Sequence, residues 1–357
     1  MTKQINGIQQ LGVGVEDVNE SFKWYNKNFG MDIMVFNEKA VAELMLPHTE
    51  GKARERHAIL AINMQGGGGF EIWQHTGKSP SKPGFTIQLG DLGISVGKLK
   101  TANIKKAYDN FVTNENVEVL TTISKDPAET PHFYIKDPYE NIWELVQNPW
   151  VFKKTDANNG GVLGCTIGVK NIDESLKVYR DILDYDEVVY DETGIFEDYK
   201  GIPGSENTFR RVLLRHKTPA KGAFSPIFGN SEIELLQVTD REPVNIYKNR
   251  IWGDPGFIHL CYDVNNMDSI REEVKQKGFP FTVDSANQGD TFDMGEAAGS
   301  FSYIQAPEGT LIEFVETHKL PLLKKFGISL NLRNRKAEKP LPTWILNMFK
   351  VMRVKVK

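Results

Sequence analysis

Gly14-Val-Glu-Asp-Val-Asn-Glu-Ser-Phe-Lys-Trp-Tyr25 returns 154 residues later as Gly168-Val-Lys-Asn-Ile-Asp-Glu-Ser-Leu-Lys-Val-Tyr179, with Gly, Val, Glu, Ser, Lys and Tyr identical. A second pair of segments repeats at a shift of 169: Tyr134-Ile-Lys-Asp-Pro-Tyr-Glu-Asn-Ile-Trp-Glu-Leu-Val146 and Tyr303-Ile-Gln-Ala-Pro-Glu-Gly-Thr-Leu-Ile-Glu-Phe-Val315. An internal repeat dictates architecture before any motif does. The two halves are duplicates joined near Asn158-Asn-Gly-Gly161.

Each half divides again. The opening strands read Gln10-Leu-Gly-Val-Gly-Val15, Asp91-Leu-Gly-Ile-Ser-Val96, Gly164-Cys-Thr-Ile-Gly-Val169 and His259-Leu-Cys-Tyr-Asp-Val264. In the helices that follow, Val18, Phe22 and Tyr25, or Ile172, Leu176 and Tyr179, share one face at spacings of three and four. Closing strands carry a Glu in an apolar run, at Glu71, Glu144, Glu234 and Glu313, and Asp137-Pro138 and Pro307-Glu-Gly309 are turns. The order strand, helix, strand, strand, strand occurs four times, at about residues 6–75, 86–148, 161–238 and 255–316. A four-stranded sheet with a helix on one face leaves its other face bare, so such βαβββ modules must combine in pairs. The expectation is an α+β chain of four modules in two cup-shaped mixed sheets, with residues 1–152 as one domain and 160–318 as the other.

The 357 residues are 40% hydrophobic and 25% charged, which excludes disorder, collagen and coiled coil. Neither a long apolar run nor a signal-peptide pattern appears after Met-Thr-Lys-Gln-Ile-Asn-Gly, and the expected location is cytoplasmic. Cys165 and Cys261 read as reduced core residues. Charge is uneven: residues 319–357 hold eleven Lys or Arg against the single acid Glu338, a local +10 that leaves −14 of the overall −4 for residues 1–318. Without aromatic-basic interleaving the tail does not read as a nucleic-acid module. The alternatives are self contact with an acidic body and peripheral contact with an anionic membrane. Trp344, Ile345, Met348 and Met352 at helical spacing suggest a docked or interfacial helix.

In a strand, a carboxylate flanked by apolar residues points opposite to its neighbours. Glu71, Glu144, Glu234 and Glu313 either face solvent, copied by duplication, or converge inside the cups. The matching positions on the opening strands are read as Gln10, Asp91, Gly164 and His259. The first half then offers Gln10, Glu71, Asp91 and Glu144, an oxygen-only set. The second offers Glu234, His259 and Glu313 with one corner left open by Gly164. One imidazole, two carboxylates and an open position suit Zn, Ni, Co, Mn or Fe(II), so the second half is the preferred metal site. Gly66-Gly-Gly-Gly69 precedes a strand and lacks the Lys-Ser/Thr of a nucleotide loop, which favours a turn or close backbone approach over a phosphate cradle. His75 and His132 lie near the first-half closing strands, and the segments 196–204 and 284–299 are candidate lids.

Through the Glu20-Ser21 and Glu174-Ser175 helix motif and the turns leading into Trp143-Glu144-Leu145 and Glu313, the chain resembles the vicinal oxygen chelate superfamily, which includes glyoxalase I, extradiol dioxygenases, fosfomycin-modifying enzymes and bleomycin-binding proteins. The resemblance covers residues 5 to about 318 and implies paired βαβββ units with one divalent ion per working cup. The glyoxalase I pattern has His or Gln on the first strand, Glu on the fourth, His on the fifth and Glu on the last. Gln10, Glu71 and Glu144 match three of these places in the first half and Asp91 departs. Glu234, His259 and Glu313 match in the second half and Gly164 departs. The extradiol pattern of a Tyr ten residues before the ligand Glu fits Tyr303, Pro307, Gly309 and Glu313, but one of its two His ligands would fall on Gly164.

The leading expectation is a divalent-metal-dependent lyase or isomerase of the glyoxalase type, acting on a small molecule with vicinal oxygens, with Glu313 moving the proton. Its rivals are an Fe(II) ring-cleaving dioxygenase using Tyr303 as acid, and a metal-free small-molecule binding protein. A monomer or homodimer is expected.

Overall fold

The computed structural model describes residues 2–286, 292–293, 298–323, 328–333 and 335–356. In chain order the first module is β1 (Gln4–Gly14), α1 (Val18–Phe29), β2 (Ile33–Ala42), β3 (Arg54–Ile62) and β4 (Gly69–His75). The second is β5 (Gly93–Thr101), α2 (Ile104–Val112), the short β6 (Glu118–Val119) and β7 (Ser124–Lys125), β8 (Pro131–Lys136) and β9 (Ile142–Gln147). The third is β10 (Val162–Gly168), α3 (Ile172–Tyr179), β11 (Glu187–Gly194), β12 (Phe209–Arg215), α4 (Ser225–Phe228) and β13 (Glu232–Val238). The fourth is β14 (Gly256–Asn265), α5 (Met267–Gln276), β15 (Val283–Asp284), β16 (Phe292–Asp293), β17 (Ala298–Gln305) and β18 (Leu311–Leu323), after which β19 (Ile328–Asn331) and α6 (Thr343–Asn347) complete the chain.

The architecture is α+β, built of two mixed sheets. The module helices begin where a short polar side chain satisfies free N–H groups: Asp17 accepts from the amides of Asn19 and Glu20, and Asn103 and Asn171 cap α2 and α3 in the same way. Gly30, at φ +67°, closes α1 in the left-handed conformation.

The modules do not pair by halves. One sheet runs β15-β17-β18-β14-β1-β4-β3-β2 and joins the first module to the fourth; the other runs β11-β12-β13-β10-β5-β9-β8-β6 and joins the second to the third. The grouping of 1–152 and 160–318 into separate cups is therefore corrected: each cup takes one module from either half. The first join is an antiparallel ladder of β1 on β14, from Gln4↔Asn265 to Gly14↔Gly256. Backbones come very close there, since a Cβ on Gly14 would lie 2.1 Å from the Asp254 carbonyl oxygen. The second join, β5 with β10, is narrower and pairs Val162 with Leu99.

Alternation then sorts side chains. Leu11, Val13, Phe70, Ile72, Leu145, Ile167, Leu235, Leu260 and Phe314 point to the convex backs, where both sheets and the helices share one apolar core. Phe70 stacks on Trp143 of the other sheet at 4.8 Å between ring centroids. The four-glycine run lies where the two sheets touch: Gly68 and Val162 exchange backbone hydrogen bonds of 2.8 Å, and Gly67, at φ +101°, has no room for a Cβ beside Gly161. Close backbone approach, not anion binding, explains that sequence.

The C-terminal segment packs on its own chain. Val354 N donates to Asp32 O at 2.8 Å, and Arg353 Nε pairs with Asp32 Oδ2 at 2.8 Å. Its inward face is Ile345, Leu346 and Phe349, while Trp344, expected on the buried stripe, is 63% exposed. Among the described residues no helix is long and apolar enough to cross a membrane.

Candidate functional site

The residues opposite the apolar backs line the concave faces of the sheets. In the first sheet these are Gln10 and Gly12 on β1, Glu71 and Trp73 on β4, His259 and Cys261 on β14, and Glu313 on β18. Gly12 sits opposite His259 and beside Glu71, and Cys261 sits beside Glu313. Because β1 and β14 run antiparallel at the centre, Gln10, Glu71, His259 and Glu313 converge from both ends of the chain. One ligand atom each from Glu71, His259 and Glu313 lies within 4.8 Å of the others. His259 Nε2 is 3.2 Å from Glu71 Oε2 and 3.3 Å from Glu313 Oε2, and Gln10 Nε2 is 3.4 Å from Glu71 Oε2.

Two of these atoms, His259 Nε2 and Glu313 Oε2, are buried and make no hydrogen bond of acceptable geometry. Buried polar atoms without a good hydrogen bond are costly, so two of them aimed at one point leave a place for a further partner. An amide oxygen, one imidazole and two carboxylates make a donor set for a borderline divalent cation. The residues thus fit an ion of that class.

Electrostatics agrees. Burial pulls the His259 imidazole down, but the Glu313 and Glu71 carboxylates outweigh it and hold it above its ordinary value. Burial raises the Glu313 carboxyl, with Glu71 adding repulsion and His259 opposing. Burial, Glu313 and Glu71 together push the Tyr303 hydroxyl well up, so it remains a donor beside Glu313. Trp252 Nε1 approaches His259 Nδ1 at 3.3 Å, and the two rings stack at 6.1 Å.

Over this cluster opens a cavity of about 720 Å³ whose floor includes Gln10, Glu71, Tyr303 and Glu313. Trp73 and Trp252, with ring centroids 4.2 Å apart, stand at its base.

The second sheet is furnished differently. Glu144 and Glu234 do face its concave side, 2% and 0% exposed, but Lys98 stands between them. Its Nζ lies 3.0 Å from Glu144 Oε2, 2.9 Å from Glu234 Oε2 and 3.4 Å from Glu232 Oε1. Glu234 Oε1 also accepts from Arg211 Nε at 2.8 Å, Tyr190 at 2.8 Å and Tyr199 at 3.1 Å. His132 Nδ1 bonds Glu144 Oε1 at 2.6 Å, and Arg211 pairs with Asp198 at 2.8 Å. Burial opposes the charge on Glu234, yet Arg211 and Lys98 hold its carboxyl well below the usual range. Burial likewise opposes the charge on Lys98, but Glu144, Glu234 and Glu232 raise its amine. This face carries its own cation.

The expected sets are accordingly redistributed. Glu234 does not join His259 and Glu313, and Glu144 does not join Gln10 and Glu71; each belongs to the Lys98 cluster. Asp91 lies before β5 and staples a loop, accepting from Arg241 Nη1 at 2.7 Å, Val244 N at 3.0 Å and Gln88 N at 2.9 Å. Its place on the strand is taken by Val96. The sequence held a signal for this: counting back seven residues from the helix caps Asp17, Asn103, Asn171 and Asn266 lands on Gln10, Val96, Gly164 and His259. Two caps lead to donors and two to residues with none. Lys98, Arg211 and Asp198, missed from sequence, sit on strands and a turn where nothing local marks them.

His75 Nε2 is 3.1 Å from Trp252 O and serves the wall of the first cup. The 196–204 segment covers the second cup, with Tyr199 and Phe196 against the Arg211 guanidinium at 4.0 and 4.6 Å from their ring centroids. The other candidate lid, 284–299, lies largely outside the described residues. Cys165 and Cys261 are buried free thiols.

Two family models, both described as glyoxalase/bleomycin resistance protein/dioxygenase superfamily, match residues 7–145 and 165–296. No curated protein sequence matches. Among solved structures, glyoxalase I from Zea mays is similar at a TM-score of 0.52 and 12% identity, over 88% of this chain and 92% of that one. A putative dioxygenase from Bacillus subtilis is similar at a TM-score of 0.54 and 14% identity, over 88% of this chain and 86% of that one. At such identity these likenesses concern the fold alone. With both halves matched by the family models and the paired βαβββ modules formed, the chain belongs to the glyoxalase/bleomycin resistance protein/dioxygenase superfamily.

Proposed function

We propose that the chain is a divalent-metal-dependent lyase or isomerase of the glyoxalase type, acting on a small molecule with two adjacent oxygens, and that Gln10, Glu71, His259 and Glu313 hold the ion. The observation that carries this reading is the convergence of Glu71, His259 and Glu313, with Gln10 beside Glu71, beneath one cavity, where His259 Nε2 and Glu313 Oε2 make no hydrogen bond of acceptable geometry. When bound, the ion supplies a Lewis acid that draws electron density from the substrate oxygens and makes the neighbouring C–H acidic.

The chain supplies the rest. Glu313, once its carboxylate is free of the ion, accepts the proton from the substrate carbon and returns it to the adjacent carbon, a role that suits a carboxyl raised by burial. Tyr303 stays protonated and steadies the Glu313 carboxylate before the first transfer and after the second. Trp73 and Trp252 wall the floor and exclude water, which strengthens each polar contact. The set holds one imidazole, whereas the two-His, one-carboxylate arrangement of non-haem iron oxygenases needs two.

Elemental analysis of protein purified without a metal-binding tag tests this. About one equivalent of Zn, Ni, Co, Mn or Fe is expected in the wild-type chain, and little in Glu71→Gln or Glu313→Gln. Wild-type protein that takes up no ion on titration overturns the reading and leaves a metal-free binding protein.

A further inference from the structure

The cavity above Gln10, Glu71 and Glu313 is far larger than a pair of oxygens and two carbons needs. Its volume of about 720 Å³ falls in the range that buries a drug-sized molecule, about 300–1,000 Å³. Beyond the polar floor its walls are apolar and come from three separate places. Trp73 and Trp252 stand nearest the ligand set. Phe224 and Phe228, in and beside α4, close one side, although they belong to the third module and thus to the other sheet. Phe349 and Met352 of the C-terminal segment close the far end.

The cationic groups at the rim are already committed. Arg56 pairs with Glu38 at 2.6 Å, and its guanidinium lies 5.1 Å from the Trp73 ring centroid. Lys319 also has a partner. Glu38, Glu43, Glu71 and Glu313 give the lining an excess of negative side chains. An anionic substrate body would lose its hydration there without gaining an unpaired cation among the described residues.

We propose that the substrate carries an extended, uncharged apolar body beyond its oxygen-bearing head, and that this body lies between α4 and the C-terminal residues Phe349 and Met352. The inference rests on the preceding reading for the head group only. It gives the basic extension a definite part: Phe349 and Met352 finish the binding cavity.

The test is a series of 4-alkylcatechols, from methyl to octyl, titrated into the full chain with and without added Mn(II), with binding read from tryptophan fluorescence. Each added methylene that enters the cavity should tighten binding about fourfold, the equivalent of about 0.8 kcal/mol. An ω-carboxylate on the same alkyl chain should weaken binding at least about tenfold, since one unpaired buried charge costs more than one lost decade. Phe349→Ala and Phe228→Ala should each flatten the slope for the longer members while leaving methylcatechol unchanged. A slope that persists without metal uptake sinks the metal assignment and spares this inference. An affinity independent of chain length in the wild-type protein overturns the inference, whatever the metal result.

Discussion

Replacing Lys98 by Met removes the one ammonium between Glu144 and Glu234 and keeps nearly the same volume. Both carboxylates are essentially without solvent, and Lys98 itself is 1% exposed. Breaking a buried pair by deleting one partner costs about 3–5 kcal/mol, because the survivor keeps its desolvation penalty and loses its counter-charge. Three carboxylates are affected here, but each has a second cation: His132 on Glu144 at 2.6 Å, Arg211 on Glu234 at 2.8 Å and Arg215 on Glu232 at 2.7 Å. The cost should therefore stay near that range and not double. Set against a total stability of about 5–15 kcal/mol, it is a large fraction. Urea unfolding followed by tryptophan fluorescence measures it, and Lys98→Met combined with Glu234→Gln should recover part of the loss, since a neutral amide needs no cation. If Lys98→Met unfolds within about 1 kcal/mol of wild type, the cluster is not balanced by Lys98 and the account of the second cup fails.

Glu144→Gln should leave ion uptake intact where Glu313→Gln removes it, and elemental analysis that finds the reverse would place the ion in the second cup. Gly12→Ala sets a Cβ 2.6 Å from His259 Cε1, so the ring must move. Affinity for Mn(II) by calorimetry should drop about 10–100-fold in that variant, the size seen when support of a ligand is disturbed, with far-ultraviolet dichroism unchanged. The His132 imidazole is drawn down by burial but raised to about 9 by Asp198 and Glu144. Its folded value exceeds the unfolded one of about 6.5, so its stabilisation is full below pH 6.5 and fades as pH rises through about 9, amounting to roughly 3 kcal/mol at most. His132→Gln should flatten the stability profile between pH 6.5 and 9, and an unaltered profile would refute the assignment. A His259 ring bound through Nε2 carries its proton on Nδ1, against the Trp252 N–H. Mn(II) titration should thus change indole emission in the wild type and less in Trp252→Phe.

The modules were legible because their signals are local. A helix face at Val18, Phe22 and Tyr25 and an alternating Ile-Trp-Glu-Leu-Val run each state a period within a dozen residues. That Glu71 and Glu313 face inward also followed from alternation once the sheets had a wet and a dry side. What stayed hidden was partnership. Nothing within β1 says that its edge will meet β14 and not β5, because an antiparallel ladder between segments some 250 residues apart is chosen by the packing of whole modules. That single choice brings Gln10, Glu71, His259 and Glu313 together from the two ends of the chain. Asp91 was misplaced for a smaller reason: its apolar-glycine context imitates the start of a strand, whereas β5 begins at Gly93 and the loop uses Asp91 to tie down Arg241.

The ladder of β1 on β14 also sets the order of events during synthesis. Gln10 leaves the ribosome among the first residues, and Glu313 follows roughly 300 residues later, which at about 5–20 residues per second is a wait of roughly 15–60 s. The second and third modules can close their own sheet in the meantime, complete with the ammonium of Lys98. The first module must hold an open strand edge until the fourth arrives. The proposed ion site is thus assembled late, and a chain stopped before β14 carries only Gln10 and Glu71 of its four residues.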